Sequence, residues 1–279
     1  MVQLAEPEAP AIIDASINYY LETGEKPFTY SGGPGSTDVR SSTVADPRRV
    51  AMHNGRPFVD QFALEREGFH FVRHDTKVQS FFEEDEIRRV YYPEMEALVK
   101  RESGASRVFV FDHTLRTADD AEREQRKIRE VVQRAHNDYT EWSGPQRVRD
   151  LFPQAEADEL LRRRFAIVQV WRPIRLPVET FPLAICDARS VSFDDFVISE
   201  RRYPNRVGQT YAVKYNPAHR WYWFPRMRRD EALVFKVYDS ATDGRARWTA
   251  HTAFDDPTAP ATARPRESIE IRTLAFFAA

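Results

Sequence analysis

The sequence predicts an all-β core with flanking helices, an antiparallel sandwich or barrel, and three observations carry that prediction. Short runs rich in β-branched and aromatic residues recur after Gly104, each bounded by turn residues. Only brief helical patterns interrupt them. Hydrophobic residues at 42%, charged residues at 30% and aromatics at 13% describe a folded globular chain, since so many rings are foreign to a disordered one.

The 279 residues are enough for one large domain or two small ones. The change of texture near residue 105 reads as an N-terminal helical and loop layer, 1–105, packed on one β core, 106–279, within a single domain 1–279. In the first stretch a Gly/Pro cluster at Gly32, Gly33, Pro34 and Gly35 and a turn at Asn54–Gly55 mark loops. The cluster is no phosphate loop, because Ser36, Thr37 and Asp38 supply no lysine after the glycines; an exposed linker or lid is expected. From 81 to 100 the acidic start Glu83, Glu84, Asp85 and the apolar positions Ile87, Val90, Met95, Leu98 and Val99 predict two helical pieces meeting near Pro93 and ended by Gly104.

Strands are then expected at 107–113, in part of 131–139, and at 165–172, 183–187 and 209–215. Four more follow at 220–224, 232–239, 248–253 and 268–277. The polar stretch 119–130 and the segment 155–164, with Leu160 and Leu161 on one side, read as surface helices. No internal repeat is visible.

Charge excludes several partner classes. With 41 basic against 43 acidic residues and a net charge of −2, the chain has no field to gather nucleic acid or an acidic membrane. The single cysteine, Cys186, rules out an intrachain disulfide framework and a multi-cysteine zinc site, and suggests a reducing compartment. The opening MVQLAEPEAP lacks a basic signal-peptide start, and no uncharged apolar run reaches the ~18 residues of a membrane span. A cytoplasmic protein is expected.

Of seven histidines, one is followed two positions later by a carboxylate, in His136-Asn137-Asp138. On a strand, i and i+2 share a face, so both side chains can reach one metal from one wall of a barrel. With a distant histidine they would form the facial triad of non-haem Fe(II) oxygenases, which leaves positions for a co-substrate and O2. By itself the pair is weak, since 43 acids among 279 residues place one such carboxylate near seven histidines by chance. The tail strengthens it. His251 opens the segment HTAFDDP, and fifteen positions later come Arg266 and Ser268, able to hold a carboxylate by a guanidinium fork and a hydroxyl, as the distal carboxylate of 2-oxoglutarate is held in iron oxygenases.

Six blocks in the same order resemble one family: DHTLR from Asp112, AHNDYT from Ala135, VWRP from Val170, PLAICD from Pro182, the long block from His219 to Ser240, and HTAFDDP with RESIEIR from His251 to Arg272. The stretch from Asp112 to Phe277 resembles the natural-product oxygenases that include the cephamycin C-7 methoxylation component and the fungal hydroxylase/desaturase proteins, the CmcJ/AsaB-like family. The resemblance implies a double-stranded β-helix, a jelly-roll or cupin-like fold, in an Fe(II)/2-oxoglutarate-dependent oxygenase that hydroxylates or desaturates a small-molecule natural-product intermediate. It implies His136, Asp138 and His251 as iron ligands and Arg266 with Ser268 as the co-substrate clamp. Gln169 stands where the family is expected to carry Asn and is a further co-substrate contact. Arg272 rivals Arg266, being six residues on along one strand face, but only Arg266 has a serine at i+2.

Among the remaining candidates, His113, Arg116, Trp171 and Tyr139 are expected near the substrate. His113 lies in a family block, although a histidine after an apolar strand is more often structural. His219, among Trp221, Tyr222, Trp223 and Phe224, could replace His251 but reads first as sheet. His70 and His74 have the spacing of a helical zinc pair without the protease glutamate, in a segment that reads as extended. Cys186, in an apolar strand, reads as inert core.

Two other classes make different demands. A non-enzymatic partner of a biosynthetic modification complex would tolerate loss of His136 or Asp138, and a metal hydrolase would act without O2. The hydrolase leaves the Arg-x-Ser pair unexplained, and an oxygenase using no 2-oxoglutarate is a further alternative. The segment before residue 105 suits a substrate lid or a dimer arm, which leaves a homodimer or a biosynthetic partner enzyme open.

Overall fold

The computed structural model describes residues 9–32, 39–175 and 177–278. In chain order the strands are β1 Ile12–Tyr20, β2 Phe28–Ser31, β3 Val39–Ser41, β4 Ala45–Asn54, β5 Phe69–Arg73, β6 Arg107–Thr117, β7 His136–Asn137 and β8 Phe165–Pro173. They continue as β9 Leu183–Cys186, β10 Phe196–Tyr203, β11 Arg206–Val213, β12 Trp221–Trp223, β13 Glu231–Asp239, β14 His251–Ala253 and β15 Glu267–Phe276. The helices are α1 Glu84–Glu86, α2 Tyr92–Ser103, α3 Asp120–Arg126, α4 Ser143–Leu151 and α5 Gln154–Leu161.

These strands form the two facing sheets of a jelly roll. The larger has the order β1-β4-β12-β9-β14-β7-β11-β10-β2-β3, the smaller β5-β13-β8-β15-β6. Strands β8 and β13 are buried along their whole lengths because both faces are covered. One set of side chains, including Val168, Val170 and Val234, packs with Met95, Leu98 and Val99 of α2. The alternate set, including Ile167, Trp171, Leu233 and Phe235, faces the barrel interior. The larger sheet curls so that β1 returns to the β7 and β11 region, where Asn18 O accepts from Ala135 N at 2.8 Å. A third apolar cluster, with Ile13, Ile17, Trp221, Trp223 and Cys186, fills that fold.

Helix α2 begins where the sequence places a break: Pro93 sits in its first turn, and a π turn at Ile87–Tyr91 joins it to α1. Gly104 ends it with φ 72°, a left-handed position that glycine takes without a Cβ clash.

The expected helical and loop layer before residue 106 is corrected: five strands lie there, four in the larger sheet and β5 in the smaller. In β1 the buried Ile13, Ala15, Ile17 and Tyr19 alternate with Asp14 and Ser16, a two-residue period made faint by a single alanine and mixed polar neighbours. Its partner β4 pairs from Ile12↔His53 to Tyr20↔Ala45 and is mostly exposed, so only pairing makes it a strand. The loop expected at 32–38 lies, apart from Gly32, outside the described residues. Strand β10 and helix α4 are further additions to the expected elements. Among the described residues no helix is long and apolar enough to cross a membrane.

Candidate metal centre and active site

Two neighbouring strands of the larger sheet, and the residue that follows one of them, build the site. His136 opens β7, Asp138 follows it, and His251 opens β14, whose register sets His251 directly opposite His136. One ligand atom from each of the three lies within 4.8 Å of the others. The imidazole centroids are 4.3 Å apart, and His136 Nε2 is 3.4 Å from Asp138 Oδ1.

Both imidazoles are oriented alike. His136 Nδ1–H donates to Arg134 O at 2.8 Å, and His251 Nδ1–H donates to Thr249 O at 3.0 Å. Each bond goes to the carbonyl two residues earlier and places the ring's lone pair on Nε2, which faces the cluster. Burial, with the neighbouring His136, lowers the His251 pKa to about 4, so the ring is neutral near pH 7. Burial alone would raise the Asp138 pKa, but the neighbouring His136 and the charge of Arg272 hold it well below the ordinary carboxylate value.

Asp138 divides its two oxygens between tasks. Oδ1 faces His136, while Oδ2 accepts from Gln169 Nε2 at 2.7 Å and from Arg272 Nε at 3.3 Å. Gln169 and Arg272 pair across β8 and β15 of the opposite sheet, so the smaller sheet orients the carboxylate. Arg272 also reaches Glu270, Thr114 and Asp112, and Glu270 and Asp138 hold its pKa above the usual range although burial acts against them.

The residues around Arg266 are less fully satisfied. Positions 266, 268, 270 and 272 project to one side of β15 while Ile269 and Ile271 pack toward α2. Arg266 donates from Nη1 to Phe181 O at 2.5 Å and lies 5.3 Å over the Trp171 ring; burial lowers its pKa to about 9. Its Nε has no partner, and neither do Ser268 Oγ, Gln169 Oε1 and His251 Nε2. Buried polar atoms are nearly always paired, so four orphans on the walls of one interior mark room for a polar ligand.

This donor set fits the implied groups. Two imidazole nitrogens and one carboxylate oxygen suit Fe(II) and leave it open positions. Arg116, Arg266 and Arg272 face only Asp138 and Glu270 among the buried acids, a positive surplus that favours a dicarboxylate once a divalent ion is present.

A cavity of about 810 Å³ adjoins the cluster, lined among others by Arg116, His136, Asp138, Tyr139, Trp142 and Arg272. Arg116 and Tyr139, expected near the substrate, both line this cavity. Arg266, Ser268, Gln169 and His251 sit deeper and do not line it.

Two expected substrate residues are corrected. His113 points to the helical layer, bonded to Tyr92 Oη at 2.9 Å and 3.2 Å from Glu84, because odd-numbered residues of β6 in that stretch face outward. Trp171 is core beneath Arg266. Gln169, expected on the co-substrate, has its amide nitrogen on Asp138. His219 is away from the cluster, between Asp195 and Tyr19, and His70 and His74 bond to Glu102 and Arg172.

The sequence reading passed over Asn137 and Glu270. Asn137 is fully buried, donates to Val237 O at 2.9 Å and accepts from Thr249 N at 3.2 Å, tying both histidine-bearing strands to the smaller sheet. Its place between His136 and Asp138 was the available signal. Glu270 had one too, as the i+2 neighbour of both Ser268 and Arg272.

Fold and site together define a class: a jelly-roll protein with two imidazoles and one carboxylate converging inside it, the ligand set of a two-histidine, one-carboxylate metal centre. A family model described as "Oxidoreductase/YMDC permease-like domain" matches residues 17–276. The hydroxylase/desaturase efuI of Hormonema carpetanum is 31% identical, covering 95% of this chain and 95% of its own. The hydroxylase/desaturase CTB9 of Cercospora beticola is 32% identical over 97% of this chain and 88% of its own. The solved structure of the iron and alpha-ketoglutarate-dependent endoperoxidase NvfI superposes with a TM-score of 0.85 at 28% identity, covering 96% of this chain and 99% of that one. The chain belongs to this family of hydroxylase/desaturases and Fe(II)/2-oxoglutarate-dependent dioxygenases.

Proposed function

We infer that the protein is an Fe(II)/2-oxoglutarate-dependent oxygenase that hydroxylates or desaturates a small-molecule natural-product intermediate, with 1–279 acting as one catalytic unit. The observation that carries this is the convergence of two imidazoles and a carboxylate within 4.8 Å inside a jelly roll. His136, Asp138 and His251 would hold the iron; Arg266 and Ser268 would hold the far carboxylate of 2-oxoglutarate. When bound, Fe(II) with 2-oxoglutarate and O2 supplies the oxidising power that removes hydrogen from the substrate.

The chain's own residues do the rest. Arg134 O and Thr249 O keep both imidazoles in the tautomer that presents Nε2. Gln169 and Arg272 hold one oxygen of Asp138, so the other is aimed at the cluster. Arg272 is occupied by three carboxylates, whereas Arg266 and Ser268 keep unpartnered donors, which favours them as the clamp. Tyr139 and Arg116 border the space where the substrate's reacting carbon would be positioned. The buried free thiol of Cys186 accords with the reducing cytoplasm as its location. Light scattering on the purified chain reads association with a second copy, and on a mixture, with a partner enzyme.

The test is anaerobic addition of Fe(II) and then 2-oxoglutarate to the metal-free chain. A weak visible charge-transfer band should develop and be lost in His136→Ala. Iron binding without the band would remove 2-oxoglutarate from the reading.

A further inference from the structure

The cavity beside the metal cluster carries more positive charge than its own acids balance. Arg129, Arg134, Arg201 and Arg206 line it, and none has a carboxylate within salt-bridge distance among the described residues. The acids that line it are already engaged: Asp112 with Arg272 at 3.3 Å, Asp138 in the cluster, and Asp150 by Gln146 Nε2 at 2.8 Å. Arg134 has one weak hydrogen bond, to Ser41 Oγ at 3.3 Å, and Arg206 lies over the Tyr203 ring.

Arg134 and Arg201 are the half-buried members of this group. Ser199, Arg201 and Tyr203 share one face of β10, and the register sets Arg201 opposite Gly208, which has no side chain to cover it. Arg134 arrives from the segment leading into β7, which lies two strands from β10 across β11 in the same sheet, and lines the same cavity. Both guanidinium groups line the one cavity and carry the same charge. Two partly desolvated like charges facing one space without a counter-charge are unfavourable until an anion joins them. Nearby, Tyr139, the exposed Trp142 and the exposed Val207 offer apolar surface.

We propose that the substrate is an apolar-bodied organic acid whose carboxylate is bound by Arg134 and Arg201 while its carbon skeleton lies against Tyr139, Trp142 and Val207. This rests on the oxygenase reading above and names the class of its substrate. The arginines are separate from those near the co-substrate: Arg266 and Ser268 are buried deeper, and Arg272 is tied to Asp138.

The test uses the full chain loaded anaerobically with Fe(II) and 2-oxoglutarate, so that the co-substrate's own carboxylate site is filled. Two fluorescent probes of similar ring size are titrated: the anion 8-anilinonaphthalene-1-sulfonate and the uncharged N-phenyl-1-naphthylamine. Arg134→Gln with Arg201→Gln should weaken the anionic probe at least ~tenfold and leave the neutral probe within about twofold. Unchanged affinity for the anion, or equal loss of both probes, would overturn the proposal. Should the double variant not fold, the parent decides: raising salt from about 50 to about 500 mM should weaken only the anionic probe, and no salt effect overturns the idea. Salt-sensitive, arginine-dependent binding of the anion by a parent that forms no keto acid band would support the anion site and sink the oxygenase reading. A parent that forms the band yet shows no preference for the anion overturns the anion site alone.

Discussion

Gln169 and Asp138 meet across the barrel: the amide nitrogen on the smaller sheet donates to the carboxylate beside the larger one at 2.7 Å. One hydrogen bond therefore couples the packing of the two sheets to the orientation of a proposed iron ligand. Gln169→Leu removes the donor while keeping the volume, and it should weaken metal binding by ~10–100-fold, the usual cost of losing such an outer partner. Titration with Mn(II) followed by electron paramagnetic resonance measures this; an unchanged affinity would show that Arg272 orients Asp138 unaided.

Asp138→Ala should lower turnover by at least ~10³-fold, because removing a metal ligand removes the oxidising centre rather than tuning it. Far-UV circular dichroism should be unchanged. Succinate release is the readout, and retained turnover with a folded protein would exclude Asp138 as a ligand.

Arg266→Ala should raise the 2-oxoglutarate KM by ~10–100-fold, in keeping with loss of a charge-assisted fork, with a smaller effect on the KM for substrate. Arg272→Ala is expected instead to leave Asp138 Oδ2 held by Gln169 alone and Glu270 buried without its partner, so metal affinity and thermal stability should fall. If Arg272→Ala rather than Arg266→Ala raises the 2-oxoglutarate KM, the clamp is Arg272.

Acid should destabilise the metal-free chain in a defined window. His251 has a folded pKa of about 4 against an ordinary 6.5, so between those values the unfolded chain binds more protons than the folded one. Its contribution is fully present above about pH 6.5 and is lost as pH falls toward 4, amounting to ~3 kcal/mol across the window. Asp138, held below its ordinary value, adds a loss in the same direction at lower pH. Chemical denaturation from pH 7 to pH 4 measures the slope, and His251→Gln should flatten it; an identical slope in the variant would assign the acid sensitivity elsewhere.

A glycine beside the site sets a further constraint. A Cβ at Gly68, whose φ is 87°, would stand 2.3 Å from Thr249 Oγ1, and Thr249 O is the acceptor that orients His251. Gly68→Ala should cost ~1–3 kcal/mol from strain and overpacking and lower metal affinity as well. Thermal melts with and without Mn(II) separate the two effects.

Much of this architecture is legible in the residues. The strands after Gly104 announce themselves by β-branched and aromatic runs, since those segments are buried by whatever partner they find, and β8, β13 and β15 lie close to their expected bounds. The first five strands are less legible, because β4 is polar and mostly exposed and becomes a strand only when β1 lies beside it. The pair His136 and Asp138 can be read from spacing, as residues two apart share a strand face. That His251, 115 positions after His136, stands directly opposite it depends on strand order, which no local pattern encodes.

The sequence by itself determined the β class of the fold, the close pairing of His136 with Asp138 and the arginine and serine that face one side of β15, because these follow from periodicity and side-chain chemistry within a few residues. Only the tertiary structure decided that Gln169 serves Asp138, that His113 faces the helical layer and that Arg134 and Arg201 share a cavity. Each of those outcomes is set by which strands become neighbours across the barrel, and a difference of one residue in register would turn every one of those side chains to the other face.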